Sequence, residues 1–125
     1  MYYYNKNNKY SNTKVTVDGE TFDSKKEYRR YCELKLLERA GEIQDLKRQQ
    51  KFIVINPQYE WVVDAKGKQK QKCVERECSY VADFVYRDAH TGELIVEDTK
   101  GVKTKEYIIK RKLMLSVYNI KIKEI

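Results

Sequence analysis

Two apolar runs flanking a cluster of turn residues constrain this chain more than any other feature. Tyr80-Val81-Ala82-Asp83-Phe84-Val85 and Leu94-Ile95-Val96 lie on either side of Asp88-Ala89-His90-Thr91-Gly92. Short apolar runs bounded by Gly, Asp and Thr read as antiparallel strands with both faces covered. Strands are expected over Tyr80–Tyr86 and Leu94–Lys100, in the interior of a sheet. Each carries an acid where burial penalises charge: Asp83 inside the first, Asp98 at the end of the second. In Val96-Glu97-Asp98-Thr99-Lys100-Gly101, Asp98 and Lys100 are two apart, so a strand projects both to one face. Glu97 then points the other way and is expected to be solvated. His90, in mid-turn, is expected as an exposed turn residue.

The rest of the chain is read around that centre. Lys14–Val17, Asp18-Gly19 and Thr21-Phe22 form a hairpin signal. Ser24-Lys25-Lys26-Glu27 fits a capping box, opening a helix that runs to Ala40 and stops at Gly41. Glu27, Tyr31, Leu34 and Glu38 share one side of it. Ile43 and Leu46 bridge to a strand over Gln50–Ile55, which Asn56-Pro57 breaks. Tyr59–Asp64 is a strand, and the polar segment Lys68–Glu77 completes a ribbon with little to bury. Thr104 caps a second helix through Tyr118, with Ile108, Ile109, Leu113, Leu115 and Val117 as its apolar side. Asn119 closes that helix, and Ile120–Ile125 alternates as a half-buried terminal strand. This order predicts an α/β fold: a mixed β-sheet with helices packed on it. Its 125 residues suit one core, placed at 13–125. Residues 1–12, rich in Tyr, Asn and Lys, are expected to form a flexible arm.

Charge is unevenly placed. Residues 100–125 hold eight of the basic residues and two acids, which is +6 of the chain's formal +7. A local positive field of this kind is what a polyanion-binding face requires; a solvated lysine-rich helix is the plainer alternative. Three cysteines give no closed disulfide framework, and a single histidine leaves Cys73 and Cys78 without partners for a zinc site. No apolar run approaches the ~20 residues that span a bilayer, so no membrane partner is expected. The N-terminus lacks the apolar core of a signal peptide. A reducing, cytoplasmic setting is the expectation.

Two acids and a lysine delivered by neighbouring strands are the parts needed to hold a hard cation beside a phosphodiester. Mg²⁺ accepts carboxylate oxygens and keeps several waters. Asp83 and Asp98 would supply ligands, with the backbone carbonyl of Thr99 as a third. Lys100 would orient the attacking water or stabilise negative charge. Glu27 would serve a second metal or a water of the first. On spacing alone the bland alternatives stay open. An Asp/Lys pair at i and i+2 is commonly a surface ion pair worth under ~1 kcal/mol. Asp83 could be a charge that discourages edge pairing, and Glu27 simply the capping-box acid.

The order of these residues resembles the PD-(D/E)xK nuclease superfamily. Ser24–Glu27 matches its helix acid, Tyr80-Val81-Ala82-Asp83-Phe84 its first strand motif, and Asp98-Thr99-Lys100-Gly101 its second. Within it the chain resembles the phage junction-resolving endonuclease I and small phage-encoded nucleases. Ala82 stands where the motif name has Pro, and Asp98 takes the place of the commoner Glu. The resemblance implies a restriction-endonuclease-like core and Mg²⁺-dependent cleavage of DNA, with Mn²⁺ able to substitute. It implies Glu27, Asp83, Asp98 and Lys100 as the catalytic set, and points to Gln50, with Gln49 beside it, for phosphate or water contacts. Lys103, Lys105, Lys110 and Arg111 would follow the DNA backbone. Branched or junction DNA is the expected substrate and a homodimer the expected assembly, in a bacterial host cytoplasm. A binding module without catalysis on the same scaffold is the alternative, as is a protein acting on RNA.

Overall fold

The computed structural model describes residues 3–5 and 13–125. Strand β1 (Tyr3–Asn5) pairs antiparallel with β2 (Lys14–Val17), which pairs with β3 (Glu20–Phe22). The rest of the expected arm, residues 1–2 and 6–12, lies outside the described residues. Asp18 (φ 51°) and Gly19 (φ 81°) make the β2–β3 turn. Two left-handed residues in sequence suit the right-handed twist of a hairpin, and Asp and Gly tolerate them best.

Helix α1 (Lys25–Arg39) starts at Ser24, whose hydroxyl accepts from the Glu27 N–H at 3.1 Å. Glu27 reaches back to the N–H of Asp23 at 2.9 Å, one residue before the usual capping-box partner. The helix ends at Ala40, and Gly41 (φ 78°) takes the left-handed position after it. Phe22 packs on this helix, its ring centroid 5.1 Å from Tyr28 and 5.2 Å from Tyr31.

The main sheet contains β4 (Ile43–Ile55), β7 (Cys78–Asp88), β8 (Leu94–Asp98) and β9 (Lys123–Glu124), in the order β4-β7-β8-β9. The first two junctions are antiparallel and β8–β9 is parallel, so the sheet is mixed. Strand β4 begins seven residues before the expected Gln50. A bulge between Gln44 and Lys47, with Asp45 at φ 57°, inserts an extra residue there. Ile43 and Leu46 therefore break the two-residue alternation and do not read as strand. The terminal strand is correspondingly shorter than expected: pairing is confined to Lys123–Glu124, although Ile122 is buried.

Strands β5 (Gln58–Val63) and β6 (Gln69–Glu75) form a separate two-stranded ribbon between β4 and β7. Helix α2 (Lys105–Tyr118) is capped by Thr104 and closed by Asn119 in the left-handed conformation (φ 56°). The adjacent β8 residues Ile95 and Val96 pack in different clusters. Ile95 joins Leu34 of α1, Ile43, Phe84 and Tyr86; Val96 joins Tyr107 and Met114 of α2, with Tyr80, Ala82 and Ile122. Adjacent strand residues point to opposite faces, so α1 and α2 cover opposite sides of the sheet. The protein is thus mixed α/β, with helices packed on a sheet. The apolar side of α2 matches the expectation in part: Ile108 and Leu113 pack against the core. Tyr107 and Met114 are buried, whereas Ile109, Leu115 and Val117 are at least half exposed. Among the described residues, no helix is long and apolar enough to cross a membrane.

Candidate functional site

Asp83 sits where β7 changes phase. Tyr80 and Ala82 pack with α2, yet Phe84 and Tyr86, two and four residues on, pack with α1. Opposite this point Gln49 of β4 adopts φ 51°, between the paired positions Arg48↔Phe84 and Gln50↔Ala82. Such local breaks in a ladder re-aim side chains. Here the break turns the Gln49 amide inward. Its Nε2 donates to Glu27 Oε1 at 3.0 Å and to Asp83 Oδ1 at 3.4 Å. Gln49, rather than the expected Gln50, is the residue of this strand that reaches the acids. The resemblance points to this pair of glutamines, and the left-handed backbone at Gln49 decides which of them meets the acids.

The β7–β8 register pairs Phe84 with Glu97 and Val85 with Val96, which carries Asp83 toward Asp98 at the strand end. Asp83 Oδ2 accepts from both the N–H and the hydroxyl of Thr99, each at 2.8 Å. Thr99 was expected to act through its carbonyl; its donors anchor Asp83. The Tyr80 hydroxyl donates to Asp98 Oδ2 at 2.5 Å, while Asp98 Oδ1 is buried without a hydrogen-bond partner. Lys100 is exposed and lines a cleft of about 310 Å³ with Tyr80, Thr104, Glu106, Tyr107 and Lys110. Its ammonium lies 5.8 Å from the Tyr107 ring centre.

Glu27, Asp83 and Asp98 are all buried, and Glu27 and Asp98 are at most 1 % exposed. Burial, and then the charge of Asp83, pushes Glu27 up to about 7. Burial also raises Asp98, to about 6; Asp83 adds to this, while the Tyr80 hydrogen bond and Lys100 oppose it. Both carboxyls thus hold protons more tightly than in water, as crowded acids do. Arg48, which sequence reasoning passed over, lies 3.5 Å from Glu27 Oε1 and stacks 3.8 Å over the Phe22 ring. No periodic signal marks it.

A divalent cation fits this arrangement. An orphaned buried carboxylate oxygen and a crowded acid pair are both relieved by one positive charge between them. Among the described residues, no group of three or more His, Cys, Asp or Glu side chains could hold one ion. Asp83 and Asp98 would offer a two-carboxylate seat, with Glu27 joined to Asp83 through Gln49. A hard cation that keeps most of its waters asks for no more than one or two carboxylates.

The expected solvation of Glu97 is overturned. Glu97 is fully buried on the α1 face, where Arg30 donates from Nε and Nη2 at 2.7 Å each and Tyr86 donates its hydroxyl to Oε2. Face alternation was right, but α1 covers that face and brings a guanidinium to it. The basic residues after the motif are partly paired. Lys103 and Arg111 meet Glu124 at 3.4 and 3.2 Å, Lys110 meets Glu106 at 2.8 Å, and Lys105 is exposed. His90 is exposed, as expected, and bonds Glu42 at 2.8 Å.

Comparison with known proteins returns one family. No curated protein and no solved structure matches the chain. The matching family model, described as "Protein of unknown function (DUF1064)", spans residues 7–124, and the chain belongs to that family.

Proposed function

We propose that this protein is a Mg²⁺-dependent DNA endonuclease of the PD-(D/E)xK kind, acting on branched DNA. The observation that carries the reading is the meeting of Asp83 and Asp98 at one sheet end, with Asp98 Oδ1 buried and unpaired. Two crowded carboxylates repel each other, and a bound cation would relieve that repulsion.

Asp83 and Asp98 would hold the ion, with the Thr99 carbonyl available beside them. When bound, Mg²⁺ supplies charge relief at the scissile phosphate and favours ionisation of the attacking water. The chain's own residues do the positioning. Tyr80 engages Oδ2 of Asp98, leaving Oδ1 to the ion. Thr99 fixes Asp83 through two donors. Gln49 couples Glu27 to Asp83, so a proton on Glu27 is felt at the ion's seat. Lys100, on the cleft wall, orients water or stabilises charge on the phosphate. Lys110 shares that wall, which gives the DNA backbone a basic approach. Two copies would cut the two strands of a symmetric branch.

The test is a cleavage panel of linear, nicked, forked and four-way DNA with Mg²⁺. Asp83→Asn and Asp98→Asn are each expected to lower cleavage at least a hundredfold while DNA binding persists. Undiminished cutting by both variants would remove the assignment. Binding without cutting by the wild-type chain, in Mg²⁺ or Mn²⁺, would favour the binding-module alternative.

A further inference from the structure

The β5–β6 ribbon serves no core. Among the described residues its strands pair with each other and with no other strand, and every residue in them except Val62 is exposed. Pairing Tyr59↔Cys73, Trp61↔Gln71 and Val63↔Gln69 puts these six on one face, since directly opposed residues share a face. The same register puts Glu60, Val62, Lys70 and Lys72 on the other. Tyr59 is 55 % exposed and Trp61 68 %. Large rings left this open on a projecting ribbon have no packing role in the monomer.

Lys66, Lys68, Lys70 and Lys72 follow one another at every second position, with no acid among residues 66–72. Among the described residues none of these lysines has an ion-pair partner. They contrast with Lys103, Lys110 and Arg111, which are paired. Of the nearby carboxylates, Asp64 is occupied by the N–H groups of Lys66 and Lys68 in the turn, and Glu60 stands opposite Lys72 across the ribbon without an ion pair.

From this arrangement we infer that the ribbon is a nucleic-acid-binding arm whose aromatic face stacks on unpaired bases and whose lysines meet the adjoining phosphates. Charge selects a polyanion over a protein partner. Exposed rings select the faces of bases that are not stacked in a duplex. Tyr59 and Trp61 are separated by about 6.7 Å along the strand. This is roughly twice the ~3.4 Å rise of stacked bases, so one base can lie between or against the rings. Unpaired bases beside a duplex occur at forks and branch points, so the arm would confer the preference for branched substrates. In naming the substrate the inference rests on the nucleic-acid reading above. It makes no use of the acid cluster.

The experiment is binding of labelled oligonucleotides, followed by fluorescence anisotropy in EDTA so that cleavage plays no part. The full chain, Tyr59→Ala/Trp61→Ala and Lys68→Gln/Lys70→Gln/Lys72→Gln are compared on a forked DNA and a fully paired duplex. The aromatic variant is expected to bind the fork about tenfold or more weakly, with duplex binding little changed. The lysine variant is expected to weaken binding to both, with a salt dependence shallower by about two to three counterions. Unchanged fork binding by the aromatic variant would overturn the inference, and so would equal losses on fork and duplex. A change in oligomeric state by light scattering, with DNA binding intact, would also overturn it, in favour of a protein contact. Absence of nuclease activity leaves these readouts untouched, so the two proposals fail separately.

Discussion

Glu27 shows how one residue serves fold and site together. As the N3 residue of α1 its carboxylate accepts from the Asp23 N–H, and it also receives the Gln49 amide. Its acidity is weakened to about 7, chiefly by burial and then by Asp83. Unfolded, the same group titrates near its ordinary value of 4.5. Between these values the folded chain keeps a proton that the unfolded chain has released. Stability from this group is therefore fully present below about 4.5 and is lost as pH rises through 7. A shift of this size is worth on the order of 3 kcal/mol. Asp98, raised to about 6, acts in the same direction. The melting temperature of metal-free protein is expected to fall between pH 5 and pH 8. Glu27→Gln should flatten that fall and raise the pH 8 value above wild type. A wild-type profile that rises over the same range in EDTA would show that Glu27 and Asp98 are not held as described.

Between elements, α1 is tied to β8 by a buried charge pair. Arg30 forks onto Glu97, which has no exposure, and Tyr86 completes its shell. The guanidinium is held protonated beyond its usual range, mainly by that hydrogen bond. Removing one partner strands the other, which costs about 3–5 kcal/mol, whereas replacing both by apolar groups is far cheaper. Arg30→Ala should lower urea stability by that amount. Arg30→Met with Glu97→Leu should recover much of it; a single-variant loss below 1 kcal/mol would mean that the clamp is immaterial. This pair also marks where sequence reading stops. The cap at Ser24, the stop at Gly41, the β2–β3 turn, the cap at Thr104 and the left-handed Asn119 were all legible, because local chemistry specifies them. Of the residues singled out for the site, Glu27 and Asp83 meet through Gln49, and Asp83 and Asp98 lie on adjoining strands. Glu97 was misjudged because its surroundings come from a helix 67 residues earlier in the chain. The start of β4 is hidden from the sequence because a left-handed residue and a bulge erase the alternation that reveals a strand. The α2 face is legible only in part, in Ile108 and Leu113, because apolar residues surround much of that helix and the sheet decides that Tyr107 and Met114 turn inward.

At the scale of the whole molecule, two helices sandwich a mixed sheet and the acids gather at one end of its central strands. The ribbon departs from the same sheet between β4 and β7, the two strands that carry Gln49 and Asp83. Such a layout suits a rigid site with a separate arm for substrate. The pieces cohere if a cation occupies the seat between Asp83 and Asp98. Calorimetric titration of Mn²⁺ into the full chain and into Asp98→Asn, with no nucleic acid present, addresses that seat alone. Saturable binding by the wild type, weakened at least tenfold in a variant that melts no lower, is the expected result. Equal Mn²⁺ affinity in the two proteins would place any bound ion elsewhere and contradict the reading of these acids as its ligands.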